Sequence, residues 1–404
     1  MRMTSGISRR SALSGGLGLA VGGVLAACSK TTTPESAPVA QTATSSELVV
    51  GANLELTGVG STLGKLQEQA LLIAAEELNI NGIPFGDKRL KVRLVVRDNG
   101  GIPATAGLIA EELIDHDKVS AVIGGTTVET GLAMLTVAEE RKVPLLCLNS
   151  GDEISLPLPQ RKFIYKLAPN ASDVAAAIAK ELGRQKLSNV SLLASGDGHG
   201  AAGFGALPRA LAIAGIPYLT TVRLPSTGRA FAESAKQIVA SKAKVVVVWA
   251  LAPVSAAAVA ALRDAGFTGK IFLDAGAGAD ETLSGPNGAA MEGTYIVHPY
   301  VLGGAPLMAT TPSGRAARDF IYRYIQQYGA FSGFAPYAAD ALNLVAFAAR
   351  RGVNVDPQRL RGRLEAGAVE GISGAYAFQP ISHGGLEPDA LVLFTAKRGA
   401  WIRL

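Results

Sequence analysis

From Leu48 onward, short β-rich runs alternate with Ala-rich amphipathic stretches about every 25 residues, and that rhythm restricts the fold more than any other feature. The first series of strand-like runs is LVVGANLEL (48–56), RLKVRLVVRD (89–98), VSAVIGG (119–125), VPLLCLN (143–149) and FIYKLA (163–168). A second series follows: VSLLAS (190–195), PYLTTVRLP (217–225), KVVVVWAL (244–251), KIFLDAG (270–276) and GTYIVHPYV (293–301). KVVVVWAL and VPLLCLN have no polar alternation, as expected of strands covered on both faces of a parallel sheet. Helical patterns lie between them, at 63–79, at 102–115 with Pro103 in its first turn, and at 253–266 ending in Gly266. Later helices are expected at 313–329, 336–352 and 356–366, and a terminal hairpin at 390–404. Right-handed βαβ units then predict an α/β protein with two doubly wound parallel-sheet lobes. Such sheets place a ligand crevice at the C-terminal ends of their strands.

The first residues read differently. Arg9 and Arg10 precede an apolar, Gly/Ala-rich stretch, 12–27, which ends in Leu25-Ala26-Ala27-Cys28. A cysteine directly after Leu-Ala-Ala resembles the lipobox of bacterial lipoproteins, so residues 1–27 are expected to be a signal peptide and Cys28 the lipidated N-terminus. The alternative is a plain secretory signal with an incidental cysteine. Ser8-Arg9-Arg10 also looks like a twin-arginine export signal. Residues 28–47 are Ser/Thr/Ala/Pro-rich, cannot bury enough surface to fold, and read as a flexible tether. An exported protein is expected, periplasmic or at the cell surface and membrane-anchored.

Removing the signal takes away three arginines, so the formal charge of +5 falls to about +2. Basic residues are scattered and not interleaved with aromatics, so no nucleic-acid partner is expected. Of the two cysteines, Cys147 sits in an apolar run and reads as a buried free thiol. Without a disulfide framework, roughly 357 residues after the tether must rest on their cores, enough for two domains.

Gly198-His199-Gly200-Ala201-Ala202-Gly203 matches G-x-G-x-x-G between a strand and a helix. The next strand ends in Arg223, Leu224 and Pro225, without the acidic residue that a dinucleotide site needs, so a tight strand-to-helix turn is the default. The four histidines (His116, His199, His298, His383) show no metal-ligand spacing, and no G-x-S-x-G elbow occurs. Neither an enzyme nor a cofactor or metal is expected. The pairs Glu76-Glu77, Glu111-Glu112 and Glu139-Glu140 read as solvated helix faces. What remains is a set of strand-end loops rich in hydroxyls and amides: Thr57 to Thr62 with Ser61, Gly124-Gly125-Thr126-Thr127, and Asn149-Ser150-Gly151-Asp152. Each has two readings, a helix cap or a ligand contact at a helix N-terminus.

At these residues the chain resembles type I periplasmic binding proteins, in the leucine/isoleucine/valine-binding branch of ABC-importer receptors. The likeness runs through the opening VVGANLELTGVGSTLGKLQEQALLIAAEELNINGIPFGDKRLKVRLVVRDN and the block VSAVIGGTTVETGLAMLTVAEERKVPLLCLNSG. ALRDAGFTGKIFLDAGAGADETL, MEGTYIV and PYAADALNLVAFAA follow in the family's order, over roughly 48–404. The resemblance implies two lobes joined by three crossovers, near 168–172, 294–298 and 372–380. Lobe one is then 48–168 plus 297–374, and lobe two 169–296 plus 375–404.

It also implies a ligand set. Relatives hold an α-carboxylate with a hydroxyl in the block at Thr126-Thr127-Val128 and another near Asn149-Ser150-Gly151; here the hydroxyls are displaced by about a residue. Their ammonium-binding acid falls at Gly276, with Asp274 as the available substitute. The first loop's aromatic falls at Leu63, beside Ser61 and Thr62, a lobe-two tyrosine falls at His199, and Phe334 aligns with an apolar contact. The implied function is a solute-binding receptor of an ABC importer, partnered by permease subunits and capturing a small amino acid or related carboxylate or amide. The alternative is a ligand sensor of the same fold that transports nothing.

Overall fold

The computed structural model describes residues 46–225, 231–304 and 309–404. Cys28, the signal segment and nearly all of the tether lie outside them. In the first half of the chain, β1 (Glu47–Leu54), α1 (Ser61–Asn81), β2 (Ile83–Phe85), β3 (Lys88–Asp98), α2 (Pro103–Asp115), β4 (Ala121–Gly124), α3 (Val128–Arg141), β5 (Leu145–Cys147) and β6 (Ile164–Lys166) follow in order. Next come α4 (Ala171–Arg184), β7 (Val190–Ala194), α5 (Gly198–Ile213), β8 (Tyr218–Arg223), α6 (Ala232–Ala240), β9 (Val245–Trp249), α7 (Val254–Asp264), β10 (Lys270–Leu273), the short α8 (Glu281–Ser284) and β11 (Tyr295–Pro299). The chain closes with α9 (Pro312–Tyr328), α10 (Pro336–Arg350), α11 (Pro357–Leu364), β12 (Val369–Glu370), β13 (Ala375–Tyr376), β14 (Leu391–Lys397) and β15 (Ala400–Arg403).

Two sheets organise these elements, as the βα rhythm predicts. One has the order β2-β3-β1-β4-β5-β6 and the other β15-β14-β11-β10-β9-β7-β8. Pairings among β3, β1, β4, β5 and β6, and among β8, β7, β9, β10 and β11, are all parallel. Antiparallel hairpins finish an edge of each: β2–β3 in the first, β14–β15 in the second. The β2–β3 hairpin is new relative to the sequence reading, in which 79–83 is only a helix end. It forms because Gly86, at φ +58°, supplies the turn.

Every residue of β9, Val-Val-Val-Val-Trp, is buried, as are those of β5. Helices cover both faces in each sheet. Residues of α1, α9 and α10 pack one face of the first sheet, with Leu71, Phe320 and Leu342 in one apolar cluster; α2 and α3 pack the other with Leu113 and Met134. In the second sheet, Ile238 of α6 and Val259 of α7 lie in one cluster and Ile178 of α4 and Leu207 of α5 in another. Cys147 is a buried free thiol, and burial pushes its pKa up to about 12. β11 belongs wholly to the second sheet, paired with β10 and β14, so the chain leaves that sheet only after Pro299 and not near 294–298. Among the described residues, no helix is long and apolar enough to cross a membrane.

Candidate functional site

The C-terminal ends of the two sheets bring their loops together, and the wall of the first sheet is built around a carboxylate. Glu55 follows β1 directly and is fully buried. Gly124 and Gly125 leave β4 with φ +159° and +72°; a Cβ on Gly125 would lie 2.6 Å from Gly131 Cα, so only glycine lets α3 start this close to the strand. That tight turn aims the first N–H groups of α3 back at β1. Thr126 N–H donates to Glu55 Oε2 at 3.1 Å, Thr127 N–H to Oε1 at 3.4 Å, and the Thr130 hydroxyl also donates to Oε1. Thr127 caps α3 as well, its Oγ1 accepting from Thr130 N–H. Thr126 Oγ1 donates to Gln67 Oε1 at 2.6 Å, while Gln67 Nε2 is buried without a partner among the described residues.

The wall of the second sheet is built around a histidine. His199, in the first turn of α5, is 4 % exposed. Its Nε2 lies 2.8 Å from Asp274 Oδ2 and its Nδ1 3.0 Å from Ser150 Oγ, across the cleft. Burial alone would depress the imidazole pKa, but the charge and hydrogen bond of Asp274 outweigh it and raise the value above normal. The ring therefore keeps its imidazolium form to higher pH than an ordinary histidine, with Asp274 at one nitrogen and Ser150 at the other. A second bond crosses the cleft where Gly198 N–H donates to Glu129 Oε1 at 2.6 Å. Asp197 caps the same helix by accepting from Gly200 N–H.

Of the expected site residues, Thr126, Thr127, Ser150, His199 and Asp274 come together here. Asp274 is not free to meet an ammonium, since its oxygens accept from Ala250 N–H (3.0 Å), Gly276 N–H (2.8 Å) and His199. Gly276 carries no side chain because a Cβ there would sit 2.5 Å from His199 Nε2. Asn149 braces the turn from behind, donating to Gly125 O and Thr127 O and accepting from Gly151 N–H. Ser61 and Thr62 are half-buried in the first turn of α1. Leu63 and Phe334 are buried members of the first sheet's apolar core, Phe334 lying edge-on to Tyr337 at 5.5 Å.

Ser150, His199 and Asp274 have the order of a hydrolytic relay. The nearest backbone donor after the serine, Gly151 N–H, is already given to Asn149, and the serine and histidine sit on separate lobes. Glu55, Gln67, Glu129 and Thr130 escape the sequence reading. The available signal is Leu54-Glu55-Leu56, a carboxylate set between apolar residues at a strand end. A groove of about 570 Å³ between α4 and α5, bordered by Lys180 and Arg209, reaches Asp152 and Glu153 and is lined by none of Glu55, Gln67, Ser150, His199 or Asp274.

Two clamps hold the chain where it passes between the sheets. Lys166 Nζ, fully buried, pairs with Asp152 Oδ1 at 2.9 Å, and Asp152 in turn accepts from Ala171 and Ser172 N–H at the start of α4. Asp340 on α10 accepts from Ile372 N–H (2.6 Å), Ser373 N–H (3.0 Å) and the Tyr376 hydroxyl (3.1 Å). Burial raises the Asp340 pKa to about 6 against those bonds. Of the helix-face acid pairs, Glu76 and Glu77 bind Arg323 of α9, and Glu139 accepts from Phe163 N–H. Glu139 and Glu77 are thus partly structural.

A family model described as periplasmic binding protein matches residues 47–398. The chain belongs to that family. An extracellular ligand-binding receptor from Rhodopseudomonas palustris HaA2 superimposes with a TM-score of 0.79 at 22% identity, over 89% of this chain and 99% of that one. A leucine binding protein from Thermotoga maritima gives 0.75 at 22% identity, over 88% and 97%. A solute binding protein of an ABC transporter from R. palustris, in complex with benzoate, gives 0.76 at 17%, over 89% and 95%. At these identities the likeness establishes the type I fold with its two lobes. Among curated proteins, glutamate receptor 1.2 of Arabidopsis thaliana is 30% identical over 107 residues, 26% of this chain and 12% of that protein. This periplasmic binding protein thus spans about an eighth of that relative.

Proposed function

We propose that this periplasmic binding protein is the solute-binding receptor of an ABC importer, capturing a small amino acid, carboxylate or amide between its lobes. The observation that carries the reading is the Ser150–His199 bond, by which loops at the strand ends of opposite sheets meet. Family membership and the transporter proteins among the structural neighbours support the role. The lobes are taken as 48–168 plus 297–374 and 169–296 plus 375–404, with the second limit moved past Pro299 to keep β11 whole. Closure by hinge motion would then present both lobes to permease subunits. Tethering through Cys28 belongs to the same proposal, and Cys28→Ser should release the protein from membranes. Small-angle scattering of the full chain tests the receptor role: a true ligand should shrink the particle and raise Tm together. The likeness to a plant glutamate receptor segment favours a second reading, a sensor of the same fold. Co-purification with permease subunits supports import, and with a signalling enzyme, sensing.

A further inference from the structure

Charged groups bordering the cleft already have partners within the chain. Glu55 takes two N–H groups and a hydroxyl at the start of α3. The start of α5 is taken by Asp197 and by Glu129 from the opposite lobe. His199 is matched by Asp274, and Lys166, which touches Ser150 O, by Asp152. A helix N-terminus attracts an anion through unsatisfied N–H groups and positive potential, and a resident carboxylate uses up both. An incoming carboxylate would meet Glu55 as a like charge in a buried setting.

Two of the buried polar atoms without a partner among the described residues belong to neutral side chains, Gln67 and Tyr337. Gln67 Nε2 is buried and unpartnered, held beside Thr126 by the bond from Thr126 to the other end of the same amide. Tyr337 Oη, on α10, is buried and unpartnered as well among the described residues; burial first, and then the charges of Asp340 and Asp274, push its pKa up. A buried polar group left unpaired is costly, so both favour a ligand that supplies hydrogen bonds. Ser150 adds a third polar group, a hydroxyl whose Oγ lies 3.0 Å from His199 Nδ1.

We propose that the cleft selects an uncharged polar molecule, one offering an acceptor to Gln67 and a hydrogen bond to Tyr337, because Glu55 permanently fills the carboxylate cradle of α3. This rests on the receptor reading above and narrows its ligand to the amide end of the range. Glu55 acts as a specificity determinant by exclusion: a zwitterion or simple carboxylate would have to expel it from three donors.

Thermal unfolding of the full chain tests the proposal with acetamide, propionamide and glycerol as uncharged probes, leucine and benzoate as carboxylates, and agmatine as a cation. The expected result is a saturable rise in Tm with at least one uncharged probe and none with the charged ones. In Glu55→Ala the emptied cradle should take up acetate with a Kd about tenfold or more below that of the wild type. Glu55→Gln refills the space and should not. A rise in wild-type Tm with leucine, benzoate or agmatine overturns the proposal and leaves the receptor reading standing. Silence from all uncharged probes also overturns it; if no probe compacts the particle either, the receptor reading falls with it. Acetate without effect on Glu55→Ala removes Glu55 from its assigned role. The wild-type series needs no variant, so the test survives a Glu55→Ala that does not fold.

Discussion

The two walls of the cleft neutralise opposite charges by different means. On the first sheet, the Glu55 carboxylate is held by backbone N–H groups and a threonine, without a cationic side chain in a salt bridge among the described residues. On the second, the His199 imidazolium is held by a carboxylate side chain, Asp274, itself fixed by Ala250 and Gly276 N–H. Helix N–H groups are part of the backbone and cost no side-chain ordering, so the first wall is rigid by construction. The second depends on a side-chain pair that a single substitution or a pH change can undo.

The largest expected effect is therefore on the second wall. Asp274→Ala leaves His199 buried without its counter-charge, a loss of about 3–5 kcal/mol when one partner of a buried pair is removed. Urea unfolding should show it, and the imidazole pKa, followed by NMR, should fall because burial is then opposed only by the charges of Asp197 and Glu129. An unchanged pKa would show that the pair does not hold the ring. Gly276→Ala comes next, since its methyl would press on His199 Nε2; overpacking of this kind costs about 1–3 kcal/mol. A silent Gly276→Ala would mean the ring moves aside freely, which would break the contrast between the walls. Ser150→Ala removes one bond between lobes, about 0.5–1.5 kcal/mol, and should enlarge the unliganded particle in scattering more than it lowers Tm.

The pH response separates the walls most finely. His199 has a folded pKa above its ordinary 6.5, so its contribution is full below about 6.5 and is lost as pH rises through the folded value. Asp340, raised from 3.8 to about 6, also loses its contribution as pH rises, but across the window from about 4 to 6. Asp340→Asn should erase the lower step in a plot of stability against pH and keep the upper one, while His199→Gln should do the reverse. A single step surviving both changes would assign it to neither group.

The strands were legible because buried parallel strands are written as continuous apolar runs, and KVVVVWAL and VPLLCLN form β9 and β5 as that pattern requires. The helices were legible from their spacing and their punctuation, Pro103 opening α2 and Thr127 capping α3. The hairpin of β2 was not, because three residues carry no usable period. In the site, hydroxyl-rich strand-end loops pointed to Thr126, Thr127 and Ser150, and a lone loop histidine gave little reason to single out His199 over a solvated reading. Leu63 and Phe334, which the resemblance singles out, are both buried in the apolar cluster beside the first sheet, Leu63 on α1 and Phe334 in the turn before α10.

What the sequence determined by itself is the alternation of elements, the parallel sheets and the loops that end their strands. These follow from local periodicity and from the handedness of βαβ units. Only the tertiary structure decided which polar groups are spent on one another. Glu55 meets Thr130 across 75 residues, and His199 meets Asp274 across 75 and Ser150 across 49. Whether a charge is free for a ligand depends on distances of a few ångströms between such remote positions. A chain has no local pattern that records them.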